Sequence, residues 1–146
     1  MKFIAASLLL AASSVFAAPA NSKRENSISI SDFRASATTY SSATMHFVVI
    51  DPNYPDDTPT DCNLIWSYGA SPKQSARCNN GQYYIKFPDG AINFHSFTLE
   101  LERVSGPIAE KGQVSLESGT KWTCVENPED QVLIRCGCSD VLTMNI

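Results

Sequence analysis

The chain has 146 residues, with 15 acidic side chains against 11 basic ones. Phosphate backbones and anionic lipid headgroups are bound mainly by clustered Lys and Arg, so nucleic acid is not an expected partner. Beyond the first residues no apolar run approaches the ~20 residues that span a bilayer as a helix, and no transmembrane segment is expected.

Met1-Lys2-Phe3 carries one positive charge, Ile4 to Phe16 is an apolar and small-residue run, and Val15-Phe16-Ala17 fits the small-x-small rule for cleavage. This pattern predicts a secretory signal peptide over 1–18 and a secreted, extracellular protein. Residues 19–24 end in the dibasic pair Lys23-Arg24, either a short pro-segment or an exposed tail. Cleavage after Arg24 leaves 122 residues, one domain over 25–146, with 8 basic against 15 acidic side chains and a net charge of −7.

From there the chain reads as short alternating segments rich in Val, Ile, Thr, Phe and Tyr, broken by Pro, Gly, Asn and Asp. Ser27 to Ser31 alternates, and Met45, Phe47 and Val49 form one face of a strand over Thr44 to Ile50. Pro52, Pro55 and Pro59 each remove an N–H donor, so the segment from Asp51 to Pro59 is expected to be a long exposed connection. Cys62, Leu64, Trp66 and Tyr68 share a face of the next strand, and a polar loop follows from Gly69. Tyr83, Ile85 and Phe87 lead into the turn Pro88-Asp89-Gly90. Ile92 and Phe94 then differ in parity from Phe97, Leu99 and Leu101, which predicts a bulge at His95-Ser96. Further strands are expected at Gln113 to Leu116, Thr120 to Val125, Gln131 to Cys136 and Ser139 to Ile146. About eight strands in one domain imply an all-β, antiparallel barrel, or a sandwich as the alternative, because both protect sheet edges.

In an oxidising compartment the cysteines of a small β domain pair. Spacing favours Cys62 with Cys78 and Cys124 with Cys136. Opposed residues of a hairpin share a midpoint: Cys124 facing Cys136 centres it on Asp130, within the turn-like run Asn127 to Asp130, whereas Cys138 would centre it on Gln131. Cys136 and Cys138 share parity, so a bulge would exchange them. On the first assignment Cys138 is unpaired, which leaves a buried thiol in a monomer or a disulfide link between two chains.

No metal or other cofactor is expected. His46 and His95 are the only histidines and form no ligand pattern, and the Cys136-x-Cys138 pair supplies half of a thiolate set. The acidic loop residues Asp51, Asp56, Asp57, Asp61, Glu129 and Asp130 lack calcium-loop spacing and read as solvated charge. Glu100 and Glu102, beside Thr98 and Arg103, read as a solvated outer strand face, and His95 at the suspected bulge is the better catalytic candidate.

Several segments together carry a family likeness: Ile30 to Phe33 (Ile-Ser-Asp-Phe), Cys62 with Cys78, the aromatic run Gln82 to Phe87, the strand ending Leu99 to Val104, and the spacing of Cys124 and Cys136. The sequence resembles small secreted proteins of filamentous fungi related to the major allergen of Alternaria, a group that includes elicitors of the plant hypersensitive response. The resemblance implies a compact β-barrel, two intrachain disulfides and a role in the fungus–plant encounter rather than catalysis. Some members dimerise through a cysteine near the mature N-terminus; this chain has none there.

The expected function is a secreted effector or elicitor, not an enzyme, that binds a plant apoplastic or plasma-membrane protein. The expected contact lies on two loops, with Tyr54, Asp56 and Asp57 on one and Lys73 and Arg77 on the other. The alternatives are a small-ligand binder with a barrel cavity lined by Trp66, Phe94 and Trp122, and a small secreted hydrolase using His95 or facing carboxylates.

Overall fold

The computed structural model describes residues 23–119 and 121–146, and the predicted signal peptide lies outside them. The described residues form nine strands: β1 (Ser27–Thr38), β2 (Ser42–Ile50), β3 (Thr60–Ser67), β4 (Tyr83–Lys86), β5 (Ser96–Arg103), β6 (Lys111–Glu117), β7 (Trp122–Glu129), β8 (Val132–Cys138) and β9 (Leu142–Asn145). They build two antiparallel sheets. The larger runs β3-β2-β1-β8-β7, with β9 added to the first half of β1, and the smaller runs β4-β5-β6. Between the two expected forms the fold is the sandwich, since no ladder joins the smaller sheet to the larger and the sheet does not close into a barrel.

Strand β1 serves two neighbours along one edge, beside β2 on the other, because it bends. Ile28 and Ile30 face the core, and so do Phe33, Ala35 and Ala37, which have the other parity. The change occurs at a bulge between Ser31 and Arg34, where Asp32 takes φ 48°, a left-handed conformation that short polar side chains tolerate. Ahead of the bulge β1 pairs with β9; beyond it, with β8. The expected strand at Ser27 to Ser31 is therefore the first half of a longer one.

The bulge predicted at His95-Ser96 is instead a turn. Ser96 N–H donates to Asn93 O at 3.0 Å and His95 N–H to Asn93 Oδ1 at 3.0 Å, so β5 begins at Ser96 and Ile92 and Phe94 belong to the preceding connection. Phe33, Phe97 and Trp122 pack ring against ring at the centre, with centroids 5.0 to 6.1 Å apart. Full burial of such a side chain stabilises by about 2–3 kcal/mol. On one side of the sandwich Gly112 of β6 lies under β9, where a Cβ would come within 2.4 Å of Asn145 O. Glycine lets the two sheets meet there without pairing.

Both predicted disulfides are present, Cys62–Cys78 and Cys124–Cys136. Cys124 and Cys136 sit directly opposite in the β7–β8 ladder. The hairpin itself differs from expectation. Its turn falls at Asp130-Gln131, with Gln131 at φ 66°, because a bulge at Asn127 lets β7 continue to Glu129. Each disulfide stabilises by about 3 kcal/mol in the chain-entropy account. Cys138 is free, half-buried and packed against the core.

Candidate functional site

Of the loop residues expected to meet a partner, Tyr54 turns inward and Asp57, though exposed, is tied to Arg103. Asp51, taken from sequence as solvated loop charge, is fully buried: Tyr83 Oη donates to its Oδ2 at 2.7 Å and Asn53 N–H to its Oδ1 at 2.9 Å. Arg103 is buried nearby. Its Nη2 meets Asp57 Oδ2 at 2.5 Å, its Nε donates to Ser105 O, and its guanidinium lies 3.6 Å over the Tyr54 ring. The Tyr54 hydroxyl donates to Ile108 O at 2.6 Å and accepts from Ile108 N–H at 2.9 Å, and the ring rests on Gly106, where a Cβ would collide with it. Tyr54 thus fastens the 51–59 loop to the 104–110 loop and Asp57 ties it to the end of β5, while Asp56 and Asp57 are both exposed.

This network includes a second buried carboxyl. Glu110 accepts from Asn53 Nδ2 at 2.7 Å through Oε1, while its Oε2 receives no hydrogen bond and has the Asp51 carboxyl beside it. Burial, followed by the bond to Asp51, pushes the Glu110 carboxyl up to about 7, against the pull of Asn53 and Arg103. Two neighbouring buried carboxyls disfavour a second negative charge, so burial and Asp51 together favour the protonated form of Glu110. Burial, then the Asp51 carboxylate, raises the Tyr83 phenol. Burial works against the charge on Arg103, but Asp57 and Tyr83 outweigh it and hold the guanidinium above its ordinary value. The region is a cohesive clamp.

The open chemistry lies on the outer face of the larger sheet, in a groove of about 590 Å³. The strand registers set its floor. Ile65, Thr44, Ser36, Arg135 and Val125 form one row across all five strands, and Asn63, His46, Arg34, Gly137 and Thr123 form the next. Ser36 and Thr44 in one row and Gly137 in the other are small, Arg135, Arg34 and His46 stand among them, and Ile65 and Val125 lie at the two edges. The gaps over the small positions, walled by the longer side chains, make a trough. Ile65 is 80% exposed and Val125 56%, at opposite edges of the same sheet face.

Polar groups in the trough are held in place. Ser36 Oγ and Thr44 Oγ1 lie 3.1 Å apart, and His46 Nδ1 is 2.8 Å from Asn63 Oδ1. The β1 bulge brings Asp32 Oδ2 to 3.1 Å from His46 Nε2, with Asp61 Oδ1 at 3.8 Å. Arg135 pairs with Glu129, and Arg34 with Asp32 at 3.5 Å. Among the described residues no three His, Cys, Asp or Glu side chains converge to hold a metal ion. The sequence signal for the trough is the outward parity of Ile65 and Val125, but its composition depends on the register between β1 and β8, about 100 residues apart in the chain.

Lys73 and Arg77 line a second cleft, of about 320 Å³, between β3 and the 72–77 segment. Lys73 is exposed, whereas Arg77 stacks 4.5 Å over Tyr84 and donates to its hydroxyl at 2.8 Å.

The ligand-lining aromatics and the catalytic histidine have definite places too. Trp66, Phe94 and Trp122 are all buried in the core; Trp66 and Phe94 meet edge to face at 6.0 Å, and Trp122 Nε1 donates to Phe94 O at 2.7 Å. They pack as filling between the sheets. His95 sits between Ser118 Oγ at 2.7 Å and Glu126 Oε1 at 3.1 Å, a Ser–His–Glu arrangement on the surface. The adjacent amides are committed: Ser118 N–H donates to His95 O and Gly119 N–H to Trp122 O. Neither is free to stabilise an oxyanion. Glu100, expected on a solvated face, is buried, accepting from Gln113 Nε2 at 2.6 Å with Lys111 Nζ at 3.5 Å; Glu102 pairs with Lys86 at 2.6 Å.

Comparison with protein-family models, curated proteins and solved structures finds no match to this chain. No helix of the described residues is long and apolar enough to cross a membrane.

Proposed function

We propose that this chain is a secreted fungal effector or elicitor that induces plant defence and the hypersensitive response and contributes to virulence by binding a plant apoplastic or plasma-membrane protein. The trough across five strands of the larger sheet carries the reading. Its exposed Ile65 and Val125 and its fixed polar groups suit recognition of a surface, and its floor has room for a partner's side chains. The signal-peptide pattern and two disulfides accord with an oxidising, extracellular setting. The family resemblance supplies the plant-facing role.

Infiltration of the purified protein into leaves tests it. Wild type is expected to elicit cell death and defence markers, and Gly137→Leu, which fills the trough, to lose that response while keeping the fold. Failure of wild type to elicit either response would remove the elicitor reading. Equal activity of the variant would remove the trough from it.

The Ser118–His95–Glu126 arrangement favours a second reading, a small secreted hydrolase. Turnover of an activated ester lost on Ser118→Ala would establish it. With both adjacent amides engaged, the expected result is no turnover.

A further inference from the structure

Strand β3 is an edge of the larger sheet, and its backbone is only partly capped. Asp61 O accepts from Asn79 N–H at 2.7 Å, and Ser67 O from Ala70 N–H at 3.0 Å. Both carbonyls point away from β2, and in a strand alternate residues turn their amides and carbonyls to the same side. Asn63 and Ile65 share that orientation. They face His46 and Thr44 at the non-hydrogen-bonded positions of the β2–β3 ladder, and among the described residues no backbone group pairs with theirs. Four strand donors and acceptors are left open in a row.

The cleft runs along this row. The 72–77 segment forms its far wall, anchored by buried Pro72 and by the Cys62–Cys78 disulfide. That wall's own pairing is used on its other side, where Ala76 O accepts from Ile85 N–H and Cys78 N–H donates to Tyr83 O. Its charge is entirely positive, from Lys73 and Arg77, and Lys73 has no carboxylate partner among the described residues.

We propose that the β3 edge takes an extended acidic peptide segment of a partner protein as an added strand, pairing with the backbone of Asn63 and Ile65 and directing a carboxylate to Lys73. Three residues of such a segment span about 10 Å at the strand repeat. A second copy of the chain does not fit the same edge, because a two-fold pairing of β3 strands would set one cationic wall against the other. This occupant follows from the edge and its charge, whether or not the chain acts in plants.

Titration with three synthetic heptapeptides of alternating valine, carrying Glu, Lys or Gln at the intervening positions, tests the proposal, read by amide chemical shifts of the folded, oxidised protein. The Glu peptide is expected to bind with its largest shifts at Asn63 and Ile65, and N-methylation of one of its β3-facing amides to weaken binding about tenfold, one backbone hydrogen bond's worth. Lys73→Glu should reverse the preference toward the Lys peptide. Ile65→Pro removes an outward N–H that no β2 group uses, and it should abolish binding with the other shifts intact. No binding by any peptide at millimolar concentration, equal binding of the N-methylated form, shifts centred elsewhere, or self-association through β3 would each overturn the proposal.

Discussion

The clamp around Asp51 and the trough on the larger sheet use the same side-chain types to different ends. In the clamp, Asp57, Tyr83 and Tyr54 bond to Arg103, Asp51 and loop backbone, while Arg103 Nη1 is buried without a partner. In the trough, Arg34, Arg135 and His46 keep exposed faces beside apolar Ile65 and Val125. Residue type does not separate structural from recognition polarity. What separates them is location: both are paired within the chain, but the clamp is buried, with Arg103 Nη1 and Glu110 Oε2 left without partners, whereas the trough's paired groups lie on the outer face of a sheet.

The largest effect should come from breaking the clamp at its charge. Arg103→Met takes the guanidinium from the exposed Asp57 carboxylate and strips the cation from between Tyr54 and Tyr83, and the expected loss is about 3 kcal/mol, from the charge-assisted hydrogen bond and the cation–π contacts together. Denaturant unfolding measures it. A loss below about 1 kcal/mol would mean that the 51–59 and 104–110 loops hold without the guanidinium. The same variant, where folded, should keep the trough's ligand preference, because no trough residue contacts Arg103.

Next in size is the proton held by Glu110. Its carboxyl is raised to about 7 in the folded chain against 4.5 when free. Below about 4.5 both states are protonated and the group contributes no difference. As pH rises from there to about 7 the unfolded chain releases the proton while the folded chain keeps it. Stability therefore falls with rising pH across that window, by at most ~1.4 kcal/mol per unit, and levels above it. Glu110→Gln keeps an amide donor for Asp51 and carries no proton to lose. Its unfolding profile should be flatter from pH 4.5 to 7, with stability above wild type by about 2 kcal/mol at pH 8. An unchanged profile would show that Asp51 and Glu110 do not share a proton.

The two regions also differ in how far sequence reveals them. Strand order along the chain, the core faces of β2 to β5 and both disulfides follow from alternation and spacing, which are local properties. The clamp had a readable signal: Arg103 has the same parity as Phe97, Leu99 and Leu101, so it lies at the end of a buried face rather than beside Glu102 on an outer one. A buried arginine calls for acidic and aromatic partners, and the Asp- and Tyr-bearing loop supplies them. The trough had no comparable signal. Ser36, Gly137 and Val125 become neighbours only through the β1–β8 and β7–β8 registers, and a bulge at Asp32 shifts half of β1 by one residue. The turn at Asn93 to Ser96 was obscured for a related reason, since a change of parity is the same mark whether it comes from a bulge or from a turn.

At the trough the expected stability effects are small and the binding effects large. Gly137 is not in a left-handed conformation, and a Cβ there meets only Phe33 O at 3.8 Å. Gly137→Leu should leave stability within about 0.5 kcal/mol, since a strand gains from losing a glycine what it spends on an exposed aliphatic group. Loss of plant response in a variant that unfolds like wild type would tie recognition to this face alone. A fall in stability of 2 kcal/mol or more would instead show that the trough floor is packed.

The smallest effect is expected at Cys138. It shares inward parity with Cys136, lies opposite Trp122 in the β7–β8 ladder and leans on the core, so its sulfur is only partly open to another chain. Cys136 already has its partner in Cys124, which leaves Cys138 no bond to form within the described chain. Cys138→Ser should change stability by less than about 0.5 kcal/mol, and wild type and variant should both run as monomers without reductant. A reductant-sensitive dimer that the substitution removes would place an interface at the C-terminal end of β8, beside the trough rather than in it. The trough would then be read in the dimer, with Gly137 one residue from the link between two chains.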